Sequence, residues 1–258
     1  MHRKDVKKIL KKNGIKLPSF GKKTVILCYG IIFLIILFGI LLFSIPVYLK
    51  ILVVWLDIVF FWVCLCYIIN KESIFIKNTT TGQISWIMNI LFWPYVIISL
   101  IIWKTKNSKQ QAMSKITQKL YIARYSRNKT EYELKQNTII VDATTEFSEI
   151  ILSDGNCKYY NISIMDGSIP SNYYETKNII DGILEHSRHH EINIIVHCAA
   201  GHGRSCMIAT IIYCVLYSAT PIDAYTYIIK KRPSVSMNIA QWCYIYNYFE
   251  IFGGDNFI

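Results

Sequence analysis

Apolar residues crowd the chain up to about Trp103. After Thr130 they thin into short stretches that alternate with polar turns. Thr24–Ile45 (TVILCYGIIFLIILFGILLFSI) carries no charge and matches the roughly 20 apolar residues that a helix needs to cross a bilayer core. Ile51–Ile69 (ILVVWLDIVFFWVCLCYII) is a second such run, separated from the first only by PVYLK. So short a link predicts two spanning helices in an antiparallel hairpin. Asp57 interrupts the second run. A carboxyl at bilayer depth can mark a transport path, but a lone one near the end of a span reads better as hydrated or neutralised. Ile84–Trp103 is long enough to be a third span. Yet it holds Ser85, Asn89, Pro94 and Ser99 and spreads Trp86, Trp93, Tyr95 and Trp103 along its length, and such rings prefer the water–lipid boundary. The reading adopted is a segment that lies in the interface or re-enters, with three true spans as the alternative.

The second half predicts an α/β domain. Thr138–Ala143 (TIIVDA), Tyr159–Ile164 (YYNISI) and Asn193–His197 (NIIVH) are short, β-branched and bounded by turn residues, the pattern of buried strands. Asn172–His190 has a helical pattern with Ile179, Ile180, Ile183 and Leu184 on one side, and Arg204–Tyr217 is apolar enough to be a buried helix. Thr220-Pro221 opens a further helix with a cap and a proline at its first position; it runs to Lys231, and Pro233 stops it. Asn238–Phe252 fits a last helix. Strands alternating with helices imply a central sheet flanked by helices. The chain thus divides into a basic tail over 1–23, a helical membrane anchor over 24–103, a basic linker over 104–130 and a sheet domain over 131–258.

Charge adds an orientation. The net charge is +11, and nine Lys or Arg precede Thr24. A second run follows the last apolar segment: Lys104, Lys106, Lys109, Lys115, Lys119, Arg124, Arg127 and Lys129, with no acid before Glu131. Each run abuts an apolar segment, so the partner is membrane lipid rather than nucleic acid. Two accounts stand: attraction to anionic headgroups, or plain retention of Lys and Arg on the cytoplasmic side. Keeping both runs inside makes this an integral membrane protein whose sheet domain faces the cytoplasm. The eight cysteines show no paired spacing and no companion histidine cluster for zinc. Neither a disulfide framework, nor a metal, nor a cofactor is expected, and a reducing compartment fits a free thiolate.

The chemistry concentrates in IIVHCAAGHGRSCMIATIIY. A strand ends at His197, a short loop runs from Cys198 to Arg204, and a helix follows. Gly201 and Gly203 let backbone N–H groups of Ala199–Gly203 turn inward, and the helix N-terminus adds positive potential, which together make an anion cradle. A cysteine at the start of such a loop is favoured as thiolate. Arg204 can fold its planar fork over the loop and bind two phosphate oxygens. The Ser205 hydroxyl can stabilise a departing sulfur. His202 occupies the variable middle of the loop and is read as exposed or as a titratable group on the pocket rim.

This HCxxGxxRS pattern closely resembles that of the protein tyrosine and dual-specificity phosphatase superfamily. The stretches VDATTEFSE, KKRPSVSMNIAQW and TGQISWIMNILFWPY are further similar to membrane-embedded bacterial dual-specificity phosphatases, so the likeness covers about Ile84 to Phe252. The resemblance implies the cysteine-phosphatase fold, Cys198 as nucleophile, and His197 as the residue that orients the loop. It also implies a general acid on a mobile loop after the preceding strand, where Asp166 in MDGSIP fits; Asp154 is a weaker rival, and Asp181 should face solvent. Glu146 is a candidate ion-pair partner for Arg204 or a solvent-facing acid. Asn238 or Gln241 supports the loop or places water, and Asn238 also reads as a helix cap. The substrate implied is first a phosphoprotein and second a phospholipid, phosphatidylglycerophosphate or a phosphoinositide. Phosphoinositide-cleaving relatives usually carry Lys or Arg in the loop, where this chain has Ala199, Ala200 and His202. An inactive phosphate-binding adaptor is disfavoured by the intact Cys198, Arg204, Ser205 and Asp166.

Overall fold

The structure is a computed structural model. It describes residues 1–18, 21–69, 77–107, 111–126, 132, 137–149, 157–189 and 192–253. The first element, α1 (Arg3–Lys12), is not a free basic tail. Val6 and Leu10, one turn apart, are wholly buried in the main core, while its lysines stay outside. Asp5 in its first turn and Lys11 and Lys12 in its last suit the helix dipole.

The hairpin follows as α2 (Lys22–Leu42) and α3 (Val47–Ile69), the two helices among the described residues long and apolar enough to cross a membrane. They pack along one another, and their outer sides expose Leu34, Leu41, Ile58 and Trp62. Because α3 begins at Val47, four residues before the apolar run, Asp57 falls midway along the helix rather than near an end, and it is buried. The third apolar segment is broken into α4 (Trp86–Leu91) and α5 (Trp93–Asn107), with Phe92 between them and Pro94 in the first turn of α5. At 1.5 Å per residue α5 is about 22 Å long, short of the roughly 30 Å of a hydrocarbon core.

Five strands form one mixed sheet in the order β1-β2-β5-β3-β4. β1 (Met113–Lys115) and β2 (Leu120–Arg124) come from the segment expected to be a linker, so the sheet domain starts earlier than 131. β3 (Thr138–Asp142) matches expectation; β4 is Cys157–Asn161, and the chain leaves the sheet before Ile164. α6 (Tyr173–His189) leads to the central strand, β5 (Asn193–Cys198). All pairings are parallel except β1 with β2. Alternate residues face opposite sides. Ile122, Val141, Ile194 and Val196 point into the larger core, and Ala123, Ile140 and Ile195 into a smaller one. The larger core is centred on α7 (Arg204–Tyr217), whose residues from Cys206 to Ile212 have no exposure. That helix is apolar all round because the sheet covers one side and α8 (Pro221–Lys231) and α9 (Ile239–Phe252) cover the others. α1 lies on α9.

Candidate active site

Cys198 ends the central strand and Arg204 begins α7, so the loop between them sits at the carboxyl edge of the parallel strands. Parallel pairing sets Cys198 opposite Arg124 and His197 opposite Asp142. Gly201 turns the loop with φ +70°. A Cβ there would lie 2.7 Å from both the Ala123 carbonyl oxygen and a nitrogen of Arg232, so a side chain is excluded by strain and by space. Arg232 fastens the turn from behind: Nε donates to the Gly201 carbonyl at 3.0 Å and Nη1 to Ser114 Oγ at 2.9 Å. Burial pulls this guanidinium below its ordinary pKa. Cys198 Sγ lies 3.3 Å from Ser205 Oγ, and both residues are buried.

Arg204 is oriented by a carboxylate. Its Nη1 donates to Glu146 Oε2 at 2.9 Å and to the Ile164 carbonyl at 2.8 Å, while Nη2 donates to Glu146 Oε1 at 2.8 Å. This two-pronged pair settles Glu146 as a partner, not a solvent-facing acid. Burial works against the charge, but Glu146 and Asp166 outweigh it and hold the guanidinium well above its usual pKa. Arg204 Nε is buried without a hydrogen-bond partner among the described residues; it is the N–H of the fork left for an anion. Asp166 Oδ1 stands 3.4 Å from Arg204 Nη2, on a side chain about half exposed.

The Asp166 loop is pinned from two sides. Asn238 Nδ2 donates to the Gly167 carbonyl at 2.8 Å and Gln241 Nε2 to that of Ser168 at 3.3 Å. Asn238 also caps α9 in a capping box with Gln241, so the cap and the hold on the Asp166 loop share one residue. On the other side Met165 packs with Val25 and Tyr29 of α2. A Cβ on Gly167 would come within 3.2 Å of backbone at Gly21 and Lys22. Asp181 lies on the outside of α6, paired with Lys177. Asp154 lies outside the described residues.

Behind the loop is a buried charge network that the sequence did not announce. His197 Nε2 is 3.0 Å from Glu149 and 3.8 Å from Asp142. Lys77, from the segment after the hairpin, pairs with Asp142, and Tyr159 donates to the same carboxylate at 2.8 Å. Burial disfavours a charged imidazole, yet Asp142 and Glu149 keep His197 above its ordinary pKa. Burial likewise raises Asp142, but Lys77 and His197 overcome it and hold the carboxyl below its usual range. Asp142, Glu149 and His197 come close enough together to ligate a cation, but the Lys77 ammonium already supplies positive charge there.

Ala199, Ala200 and His202 line one cavity with Cys198, Gly203, Arg204 and Asp166, about 330 Å³ in volume. The rest of the lining comes mainly from the apolar helices: residues of α2 and α5 and Tyr67 of α3. A thiol, a buried arginine with an N–H left over and a half-exposed carboxyl thus converge on one space, and a buried hydroxyl backs the sulfur. Such a set can take a phosphoryl group onto sulfur and protonate a leaving oxygen.

Comparison with known proteins agrees with this geometry. The curated human dual specificity protein phosphatase 18 is 25% identical over 147 residues, covering 55% of this chain and 75% of that protein. Its mouse counterpart is 22% identical over 151 residues, covering 55% and 76%. Among solved structures, human DUSP28 superposes with a TM-score of 0.50 at 12% identity, over 57% of this chain and 99% of that one, a likeness of fold. The family described as dual specificity phosphatase, catalytic domain, matches residues 120–251, and the chain belongs to that family of cysteine-based phosphatases.

Proposed function

We propose that this chain is a membrane-anchored phosphatase that hydrolyses phosphate monoesters through a cysteinyl-phosphate, with its catalytic domain at the cytoplasmic face. The observation that carries the reading is the convergence of Cys198, Arg204 and Asp166 on one cavity, with the Ser205 hydroxyl buried 3.3 Å from the sulfur. The phosphoryl group rests on the backbone of Ala199–Gly203, and the Nε of Arg204, held by Glu146, donates to it. Cys198 Sγ attacks phosphorus as the bond to the leaving oxygen breaks, and Asp166 gives that oxygen its proton. Water then attacks phosphorus and the S–P bond breaks. Asp166 takes the water's proton, inorganic phosphate leaves, and the Ser205 hydroxyl supports the returning thiolate. His197 positions the loop from behind.

The curated relatives are named protein phosphatases, and a phosphoprotein is the first substrate class considered. One observation favours the second, a phospholipid: a large part of the cavity lining comes from α2, α3 and α5, not from the catalytic domain. Membrane lipid is then both solvent and source of substrate. The test uses the full chain in phosphatidylcholine vesicles with para-nitrophenyl phosphate. Turnover is expected, Cys198→Ser should abolish it while the variant still binds phosphate ester, and rapid quenching should trap phosphate on Cys198. Full activity in Cys198→Ser would overturn the proposal.

A further inference from the structure

We infer that the cavity over Cys198 continues into a groove between α2 and α5 that seats the acyl chain of the substrate, a lipid bearing a single terminal phosphate monoester. This rests on the phosphatase reading of the loop and adds the substrate class.

Two helical stripes build the groove. Val25, Cys28, Tyr29 and Ile32 line the cavity from α2, spaced by three and four residues so that they share one face. Tyr95, Ile98 and Ile102 line it from α5 with the same spacing. α3 packs against both helices and sets their separation. From Val25 to Ile32 the α2 stripe rises about 10 Å. Its near end meets the catalytic domain, where Val25 and Tyr29 share a buried cluster with Met165, next to Asp166. The same hairpin turns apolar Leu34 and Leu41 outward. The groove therefore joins a phosphate cradle at one end to a surface suited to lipid along its length.

The junction is aromatic and polar. The Tyr29 ring of α2 lies with its centroid 6.3 Å from that of Tyr67 of α3 and 5.8 Å from that of Tyr95 of α5, and the Tyr67 and Tyr95 side chains are hydrogen-bonded. Hydroxyls stand where the ester-bearing part of a lipid would lie, between phosphate and chain. Among the described residues lining the cavity, Arg204 is the one permanent cation. That suits one phosphate and gives nothing to a headgroup bearing several. A phosphopeptide would need partners for its backbone groups, and past the tyrosines the wall is mainly Val25, Ile32, Ile98 and Ile102.

The test is a substrate series on the full chain in phosphatidylcholine vesicles: glycerol 3-phosphate, dihexanoyl phosphatidic acid and a phosphotyrosine peptide, beside para-nitrophenyl phosphate. A buried methylene is worth roughly a factor of four. So kcat/KM for dihexanoyl phosphatidic acid should exceed that for glycerol 3-phosphate by at least about tenfold. Ile32→Trp and Ile98→Trp, each filling the groove, should cut that ratio about tenfold; Leu34→Trp, on the outer side of α2, should not. Partition of the lipid into the vesicle would raise the ratio equally in all of them, so an undiminished ratio in both filled variants sinks the groove. So does a wild-type ratio near one, or a phosphotyrosine peptide preferred over the lipid. Absence of para-nitrophenyl phosphate turnover would instead remove the phosphatase reading beneath it.

Discussion

Lys77 and Asp142 form a buried ion pair across 65 residues of chain, and Asp142 is the strand partner of His197, next to Cys198. The lysine is delivered by a small turn closed by pairing of Lys77 with Ile84. That turn lies against the catalytic domain: the Glu149 N–H donates to the Gly82 carbonyl at 2.8 Å, and Ile84 N donates to Ser148 Oγ at 3.2 Å. A cation from the segment after the hairpin thus balances a carboxylate beneath the Cys198 loop. Removing one partner of a buried pair typically costs about 3–5 kcal/mol, because the other charge is stranded. Lys77→Met should destabilise the chain by that order in denaturant unfolding, and adding Asp142→Asn should recover part of the loss. A change within about 1 kcal/mol would mean that the pair is screened by water.

His197 gives the network a pH dependence. It faces Asp142 and Glu149, with Lys77 beyond Asp142 and the rings of Tyr125 and Tyr132 alongside. Two cations then balance two carboxylates. Its folded pKa lies above the unfolded value, which is about 6.5. The stabilisation is therefore complete below about pH 6.5 and is lost as pH rises through the folded pKa, at up to about 1.4 kcal/mol per pH unit. Thermal unfolding from pH 6 to 9 should show this slope in the wild type, and it should be absent in His197→Gln. An unchanged slope in that variant would place the titrating group elsewhere.

Asp166 is expected to act through the leaving group. Asp166→Ala should slow hydrolysis of alkyl phosphates by roughly a hundredfold or more and that of para-nitrophenyl phosphate much less, since only the poor leaving group needs the proton. Asn238→Ala, which frees the Gly167 carbonyl, should give the same signature at smaller size. Equal losses on both substrates in Asp166→Ala would move the acid to another residue, with Asp154 the first to try.

The loop was legible because its chemistry is contiguous: nine consecutive residues carry nucleophile, turn, clamp and hydroxyl. β3, β5 and α7 were legible as continuous apolar runs, and α6 and α8 as one-sided helical patterns with their own stops. β1 and β2 were hidden by charge. Lys115, Lys119 and Arg124 dominate their segment, although Leu120 and Ile122 alternate to one side and are fully buried. The same masking hid α1, where two buried positions sit among lysines. Arg232 was visible in an Arg-Pro pair, but its grip on Gly201 depends on a loop 31 residues away. No local pattern distinguishes Lys77 from a surface lysine; only the fold brings it to Asp142.

The docking of α1 constrains how the chain can cross a membrane. Val6 and Leu10 share the core with Tyr248 and Phe249 of α9, so the segment before α2 and the catalytic domain lie on the same side of any membrane the hairpin crosses. A hairpin of α2 and α3 satisfies this, and a third crossing would break it. α4 and α5 are each too short for one, and Trp103 at the far part of α5 donates to the Tyr125 carbonyl at 3.1 Å, beside the Cys198 loop. Nine basic residues before Thr24 and eight after Trp103 favour the cytoplasm for both flanks. Lys8→Cys on α1 and Lys230→Cys on α8, each read above the wild-type background, should react with an impermeant thiol reagent only after cells are permeabilised. A reporter fused after Ile258, which lies outside the described residues, should behave as cytoplasmic. Labelling of one cysteine and not the other in intact cells would require an odd number of crossings and would pull α1 from α9. Labelling of both would turn the enzyme outward.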